Sequence, residues 1–154
     1  MSKVTPTQRT LARLKKEGCR AGVVERWLAY AGSFGVRQDL FGFIDIIALD
    51  RQYNPMNGTG IIGIQACAAS GLSAHLTKIR RDCGDAALDW LTAGGRIQVW
   101  AWRKVKMIKA DGTKGKADRW QPKIVNVDHT GLVVSPIKGP IPPVKRGNLR
   151  QKAM

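Results

Sequence analysis

Two runs in the middle of the chain are apolar throughout except for one or two polar positions. Phe43-Ile44-Asp45-Ile46-Ile47-Ala48-Leu49 and Ile61-Ile62-Gly63-Ile64-Gln65-Ala66-Cys67 have the unbroken hydrophobicity of strands covered on both sides, where period-two alternation disappears. Between them, Arg51 to Gly60 holds Asn54-Pro55 and Asn57-Gly58, and turn chemistry makes it a loop. The runs therefore form a hairpin with a long connection. Antiparallel partners keep a constant index sum, so if Leu49 faces Ile61, Asp45 faces Gln65.

The flanking patterns supply the other elements. Thr5-Pro6 offers an N-cap with proline at the first helical position, and Leu11, Leu14 and Lys15-Lys16-Glu17-Gly18 predict a helix over 6–17 ended by glycine. Cys19 to Trp27 is read as a first strand, although its periodicity leaves a helix open. Ser70–Asp82 and Gly84–Thr92 read as helices, the second with Ala86, Ala87, Leu88, Trp90 and Leu91 as its apolar set. Arg96 to Arg103 alternates, with Ile97, Val99 and Ala101 on one side and Arg96, Gln98, Trp100 and Trp102 on the other. That predicts a half-exposed strand with an open face of aromatics and cations. Lys106–Ile108 and Lys123–Val127 read as two further strands joined by the basic loop Asp111 to Lys116, and the Pro-rich stretch 136–154 as a flexible tail. The expected organisation is one domain over 1–135, its core at about 5–104 and its C-terminal hairpin at about 105–130.

Length agrees with this, since 154 residues allow one well-buried core and not two. Charge narrows the partner. A net charge of +15 opposes compact folding by self-repulsion, which a polyanion would relieve, and nucleic acid becomes the leading partner. Its distribution says more. Residues 38–70 carry Arg51 against Asp39, Asp45 and Asp50, whereas 1–37 carry eight Lys/Arg against two acids and 105–154 eleven against three. An acidic island in a basic chain suits a metal-assisted phosphodiesterase, whose carboxylates hold the cation while Lys and Arg hold phosphates. Three cysteines without a CxxC pair fit a reducing compartment, hence a cytoplasmic protein, and no run is long enough to span a bilayer.

Asp45 needs explaining on its own terms. A carboxylate on an otherwise apolar strand is costly unless paired or metal-bound, and an amide brought opposite it begins a cation site. The competing explanation is an aspartate satisfied by backbone amides. Asp39, in Arg37-Gln38-Asp39-Leu40-Phe41-Gly42, and Glu25 are further carboxylates that could complete the shell, or else a turn cap and a partner of Arg26 or Arg37. His75 and His129 are single and read as structural, with His75 a weak candidate near the site. Arg37, Arg80, Arg81, Arg103, Lys104, Lys114 and Lys116 are candidates for phosphate contact, and Trp100 and Trp102 for stacking on bases.

The order helix, strand, strand, strand, helix, strand, with Asp45 in Phe43-Ile44-Asp45-Ile46-Ile47-Ala48 and the polar pair in Ile64-Gln65-Ala66-Cys67, resembles the αβββαβ core of the PD-(D/E)XK nucleases, the restriction-endonuclease-like superfamily. The first motif is similar to the P-D-I-I-A form of archaeal-type Holliday-junction resolvases, and the likeness covers roughly residues 5–104. It implies an α/β fold with a mixed central sheet, a Mg2+ or Mn2+ ion held by Asp45 and Gln65, hydrolysis of DNA, and a homodimer as in small resolvases. Two positions depart from the pattern: Gln65 stands for the usual acid and Cys67 for the lysine that orients the attacking water. An amide oxygen still ligates. A thiol does not replace an ammonium, so Lys78, on the following helix, is expected to supply the charge. Three readings stay open: a metal-dependent DNA endonuclease, with junction or branched DNA as the candidate substrate; a degenerate relative that binds nucleic acid without cleaving it; and an interaction or inhibitor protein.

Overall fold

In a computed structural model of the chain, residues 2–29, 34–50 and 60–136 are described. The loop read over 51–60 and the tail read over 136–154 fall, but for Gly60 and Pro136, outside them. Helix α1 (Pro6–Lys16) starts where the sequence places it: Thr5 Oγ1 accepts from Gln8 N while the Gln8 side chain accepts from Thr5 N, a reciprocal capping box. Glu17 caps its other end and Gly18 turns the chain with φ 77°.

The stretch expected to be one strand over 19–27 is two. β1 (Arg20–Val23) breaks off at Val24, and β2 (Arg26–Leu28) turns away to pair with β3 (Val36–Gln38) in a small antiparallel sheet of its own. β4 (Ile46–Leu49) begins three residues later than its apolar run, because the chain first folds back on itself, with Ile44 N donating to Leu40 O. β5 (Ile61–Ala68) pairs with β4 in the expected register, Leu49 facing Ile61 and Ile46 facing Ile64.

The helical region differs in its first half. The α-helix α2 spans only Leu72–Thr77 and passes into a π-helical turn over Lys78–Asp82, whereas α3 (Gly84–Thr92) matches its expected bounds. β6 then runs unbroken from Arg96 to Ile108 and β7 from Lys114 to Val127. What reads as three short strands is therefore one long hairpin, closed by a turn at 109–113 in which Lys109 N donates to Thr113 O. Lys114 and Lys116 lie on β7 and not in a loop, because the cross-strand ladder extends past the region of high apolar density.

The five-stranded sheet has the order β1-β4-β5-β6-β7, antiparallel except for β5 beside β6. The protein is thus α/β with a mixed sheet. Ile46, Ala48, Ile62, Ile64, Trp100 and Trp102 pack on one face with Leu11 and Leu14 of α1. Phe43, Ile44, Cys67, Ile97, Val99 and Ala101 pack on the other, beneath α2 and α3. β6 is consequently covered on both sides over its first half. Trp100 and Trp102, expected on an open face, are 3% and 6% exposed. Their alternation with Ile97, Val99 and Ala101 marks the division between two cores and not between core and solvent. Trp102 donates from Nε1 to Thr10 Oγ1 of α1, and Trp100 from Nε1 to Gln98 Oε1, so burial leaves no orphaned indole N–H.

Candidate metal centre

Two cross-strand relationships build the site. Continuing the β4–β5 register by one step sets Asp45 opposite Gln65; Asp45 N donates to Ile64 O and Asp45 O accepts from Val24 N, so the residue is fixed where β4 meets the loop before it. Continuing the β2–β3 register one step beyond Arg26 and Gln38 sets Glu25 opposite Asp39. The small hairpin therefore stands with a carboxylate at each foot. One carboxylate oxygen each from Glu25, Asp39 and Asp45 lies within 4.8 Å of the others.

The three acids are not equivalent. Glu25 is met by Arg37 (3.2 Å) and Asp39 by Lys78 (3.5 Å), while no ion pair among the described residues involves Asp45. Asp45 Oδ2 accepts instead from Gln65 Nε2 at 2.7 Å and Ala66 N at 2.9 Å. Burial pushes the Asp45 carboxyl up to about 8 from an ordinary 3.8, the hydrogen bond and charge of Asp39 and the charge of Glu25 adding to the rise and the Ala66 amide opposing it. Two of the three acids are thus matched by a cation each, and the third, without one, holds its proton well above the usual carboxylate range.

The donor set is what a hard divalent cation takes: oxygens alone, three of them from carboxylates. Gln65, whose Nε2 donates to Asp45, carries a further oxygen next to that carboxylate. Its Oε1 is buried without a hydrogen-bond partner, an exception among enclosed acceptors that a cation or its bound water would satisfy. Glu25, Asp39, Asp45 and Gln65 thus fit such an ion. Five residues singled out from the sequence, these four and Lys78, converge on one place although they span 54 positions from first to last.

Cys67, on the same strand two residues beyond Gln65, is buried, and burial together with the Asp45 charge pushes its thiol up. It stays neutral and contributes no cation. Lys78 does, from the first position of the π-helical turn, where the wider turn departs from α geometry and helices often host functional side chains. His75, one turn earlier, has an enclosed Nδ1 without a partner, and burial and the Lys78 charge push its ring below the usual imidazole range. It is a neutral neighbour of the Lys78–Asp39 pair.

The residues proposed to meet phosphates are distributed unevenly. Arg37 is engaged with Glu25 yet mostly exposed. Arg80 is half-buried, its backbone O accepting from Val133 N as the chain after β7 crosses it, whereas Arg81, Arg103, Lys104, Lys114 and Lys116 are exposed. Trp100 and Trp102 are excluded from base stacking by burial. Trp27, Phe34, Phe41 and Trp120 are exposed instead, and of these Trp120 on β7 sits among cations, with the Arg9 guanidinium 3.7 Å from its ring centroid and Lys104 Nζ at 5.4 Å. Its signal was Lys114, Lys116 and Trp120 on one parity of the stretch 114–123, obscured by a lack of apolar partners. The β2–β3 hairpin was equally hidden, since three-residue strands carry no readable period.

No family model, curated protein or solved structure matches this chain. Among the described residues, no helix is long and apolar enough to cross a membrane.

Proposed function

We propose that the protein is a metal-dependent nuclease that hydrolyses phosphodiester bonds in DNA, with a restriction-endonuclease-like core and branched DNA as a candidate substrate. The observation that carries this reading is the gathering of Glu25, Asp39 and Asp45 within 4.8 Å in a chain of net charge +15. Crowding three carboxylates so closely that one keeps its proton to about 8 serves no purpose in a protein that only binds nucleic acid, and is what one that holds a cation against the scissile phosphate needs. The order helix, three antiparallel strands, helices and a strand parallel to the third, with the acid entering the second strand of the meander, supports the resemblance.

Mg2+ or Mn2+, when bound by the three carboxylates and Gln65 Oε1, supplies an acidified water and charge neutralisation at phosphorus. The chain's own residues do the rest. Lys78, tethered to Asp39 and one-third exposed, brings a positive charge to the rim, where it orients a water and offsets the developing charge. Arg37, two-thirds exposed, reaches an adjacent phosphate. Gln65 and the Ala66 amide hold Asp45 in place.

A second reading is favoured by two observations: Gln65 binds back to Asp45, and Cys67 is a neutral thiol. It makes the chain a relative that binds nucleic acid without cleavage. Incubating the full chain with fluorescent linear and four-way branched DNA and Mn2+ decides between them. Cleavage that disappears with EDTA and in Asp45→Ala supports the nuclease; salt-sensitive, EDTA-insensitive binding without products supports the second reading. Absence of any binding at low salt overturns both and leaves an interaction or inhibitor protein.

A further inference from the structure

The β6–β7 hairpin outruns the sheet that carries it. β5 accompanies β6 only as far as Trp102, so from the pair Arg103–Gln121 to the pair Ile108–Lys114 the two strands have only each other. This free ribbon is about 20 Å long and, with side chains, about 10 Å wide. Between 103 and 123 lie eight Lys/Arg against two Asp, and all eight cations are exposed. Both acids are engaged locally: Asp118 pairs with Lys106 at 2.8 Å, and Asp111 accepts from Thr113 N and Oγ1 in the turn. At the tip, Met107 and Ile108 are 47% and 70% exposed.

A two-stranded ribbon held out from its sheet loses more apolar cover than it gains, and a long strand pair exposed at an edge invites association. Here the positive charge blocks pairing with another copy of the chain, and it selects a polyanion. At its base, Trp120 has Arg9 of α1 stacked on it and Lys104 beside it, which ties the foot of the ribbon to α1. Arg103 and Arg119 share, by strand alternation, the opposite side, which is the face of the sheet that carries Gln65.

We propose that this ribbon is a groove-insertion arm for double-stranded DNA. A B-form major groove is about 12 Å wide and admits a two-stranded β-ribbon, whereas the major groove of A-form RNA is too deep and narrow to receive one. Lys and Arg along both edges meet the two phosphate walls, and Met107 and Ile108 meet thymine methyls or sugars on the floor. The occupant is therefore duplex DNA and not single-stranded or A-form nucleic acid. The inference stands apart from the nuclease reading, since it requires no cation and no reaction.

The test compares the full chain with Lys109→Ser/Lys114→Ser/Lys116→Ser/Arg119→Ser, four exposed positions away from the Trp120 clamp, in EDTA, by fluorescence anisotropy with a 20-base-pair DNA duplex, the same duplex as RNA, and one DNA strand. The wild type is expected to bind the DNA duplex at least tenfold more tightly than either other probe. The variant, shown folded by its circular dichroism and melting temperature, is expected to lose at least about tenfold in duplex affinity, with the slope of log K against log salt falling by about 3 to 4. Equal affinity for duplex RNA or single strand overturns groove insertion, and unchanged duplex binding by the variant removes the arm from the interface. Because the anisotropy is read in EDTA, loss of arm binding is measured apart from any Mn2+-dependent cleavage, and failure of one does not decide the other.

Discussion

Gln65 Nε2 lies 2.7 Å from Asp45 Oδ2, two buried side chains 20 residues apart joined across neighbouring strands. The amide holds a carboxylate that has no cation partner of its own, and it leaves its oxygen enclosed and unsatisfied. A pair so arranged stabilises the fold only when the carboxyl is protonated or when a cation shares it. That condition makes the site measurable before any substrate is known.

The first expected outcome is a stability that falls with rising pH in metal-free protein. The folded carboxyl of Asp45 sits at about 8 against an ordinary 3.8, so between these values the folded state keeps a proton that the unfolded chain releases. Its contribution is complete below the ordinary value and lost as pH rises through the folded one. Thermal melts in EDTA from pH 5 to 9 should show this decline, and Asp45→Asn should flatten it. Saturating Mn2+ at pH 8 should raise the wild-type melting temperature by about 5–10 °C, taking a cation at roughly a hundred times its dissociation constant, with no change in Asp45→Asn. Parallel pH profiles for the two proteins would show that Asp45 does not hold the proton.

Lys78 separates stability from chemistry. Its ion pair with Asp39 is partly solvent-exposed, so Lys78→Ala should alter stability by about 1 kcal/mol or less. If Lys78 orients the water, the same substitution should lower the Mn2+-dependent cleavage rate by about a hundredfold or more, and Lys78→Arg should recover part of it. Full cleavage by Lys78→Ala, measured on a preparation with a wild-type melting temperature, would remove Lys78 from that role.

The packing between α1 and the sheet predicts a sharp difference between two small substitutions. Thr10 is fully buried; its Oγ1 donates to Pro6 O and accepts from Trp102 Nε1. Thr10→Val keeps the volume and orphans the indole N–H, a loss of about 1–3 kcal/mol, which at this size corresponds to roughly 2–4 °C per kcal/mol. Thr10→Ser keeps the hydroxyl and should retain most of the stability. Melting curves followed by tryptophan fluorescence check the difference, and equal melting temperatures for the two variants would contradict the bond.

The centre of the fold was legible because its signals are local. The N-cap at Thr5, the paired apolar runs, and the glycine after α1 each depend on residues near one another in sequence, and they are found where the pattern puts them. Asp45 opposite Gln65 followed from arithmetic on two strands once their pairing was assumed. Of the arm, Lys106–Ile108 was legible as a strand, but its continuity with Arg96–Arg103 and the strand over 114–122 were not, since their ladder is held by backbone bonds between basic segments with little hydrophobic period.

By itself, then, the sequence determined the starts of α1 and α3, the two buried central strands with their register, and an acidic island in a basic chain. Only the tertiary structure decided that Glu25 and Asp39 stand at the feet of one hairpin beside Asp45, that Lys78 reaches them, and that Trp100 and Trp102 are inside while Trp120 is out. The physical reason is the same in each case. Strand alternation tells which residues share a face, but whether that face meets a helix, water or another carboxylate depends on contacts between residues distant in the chain.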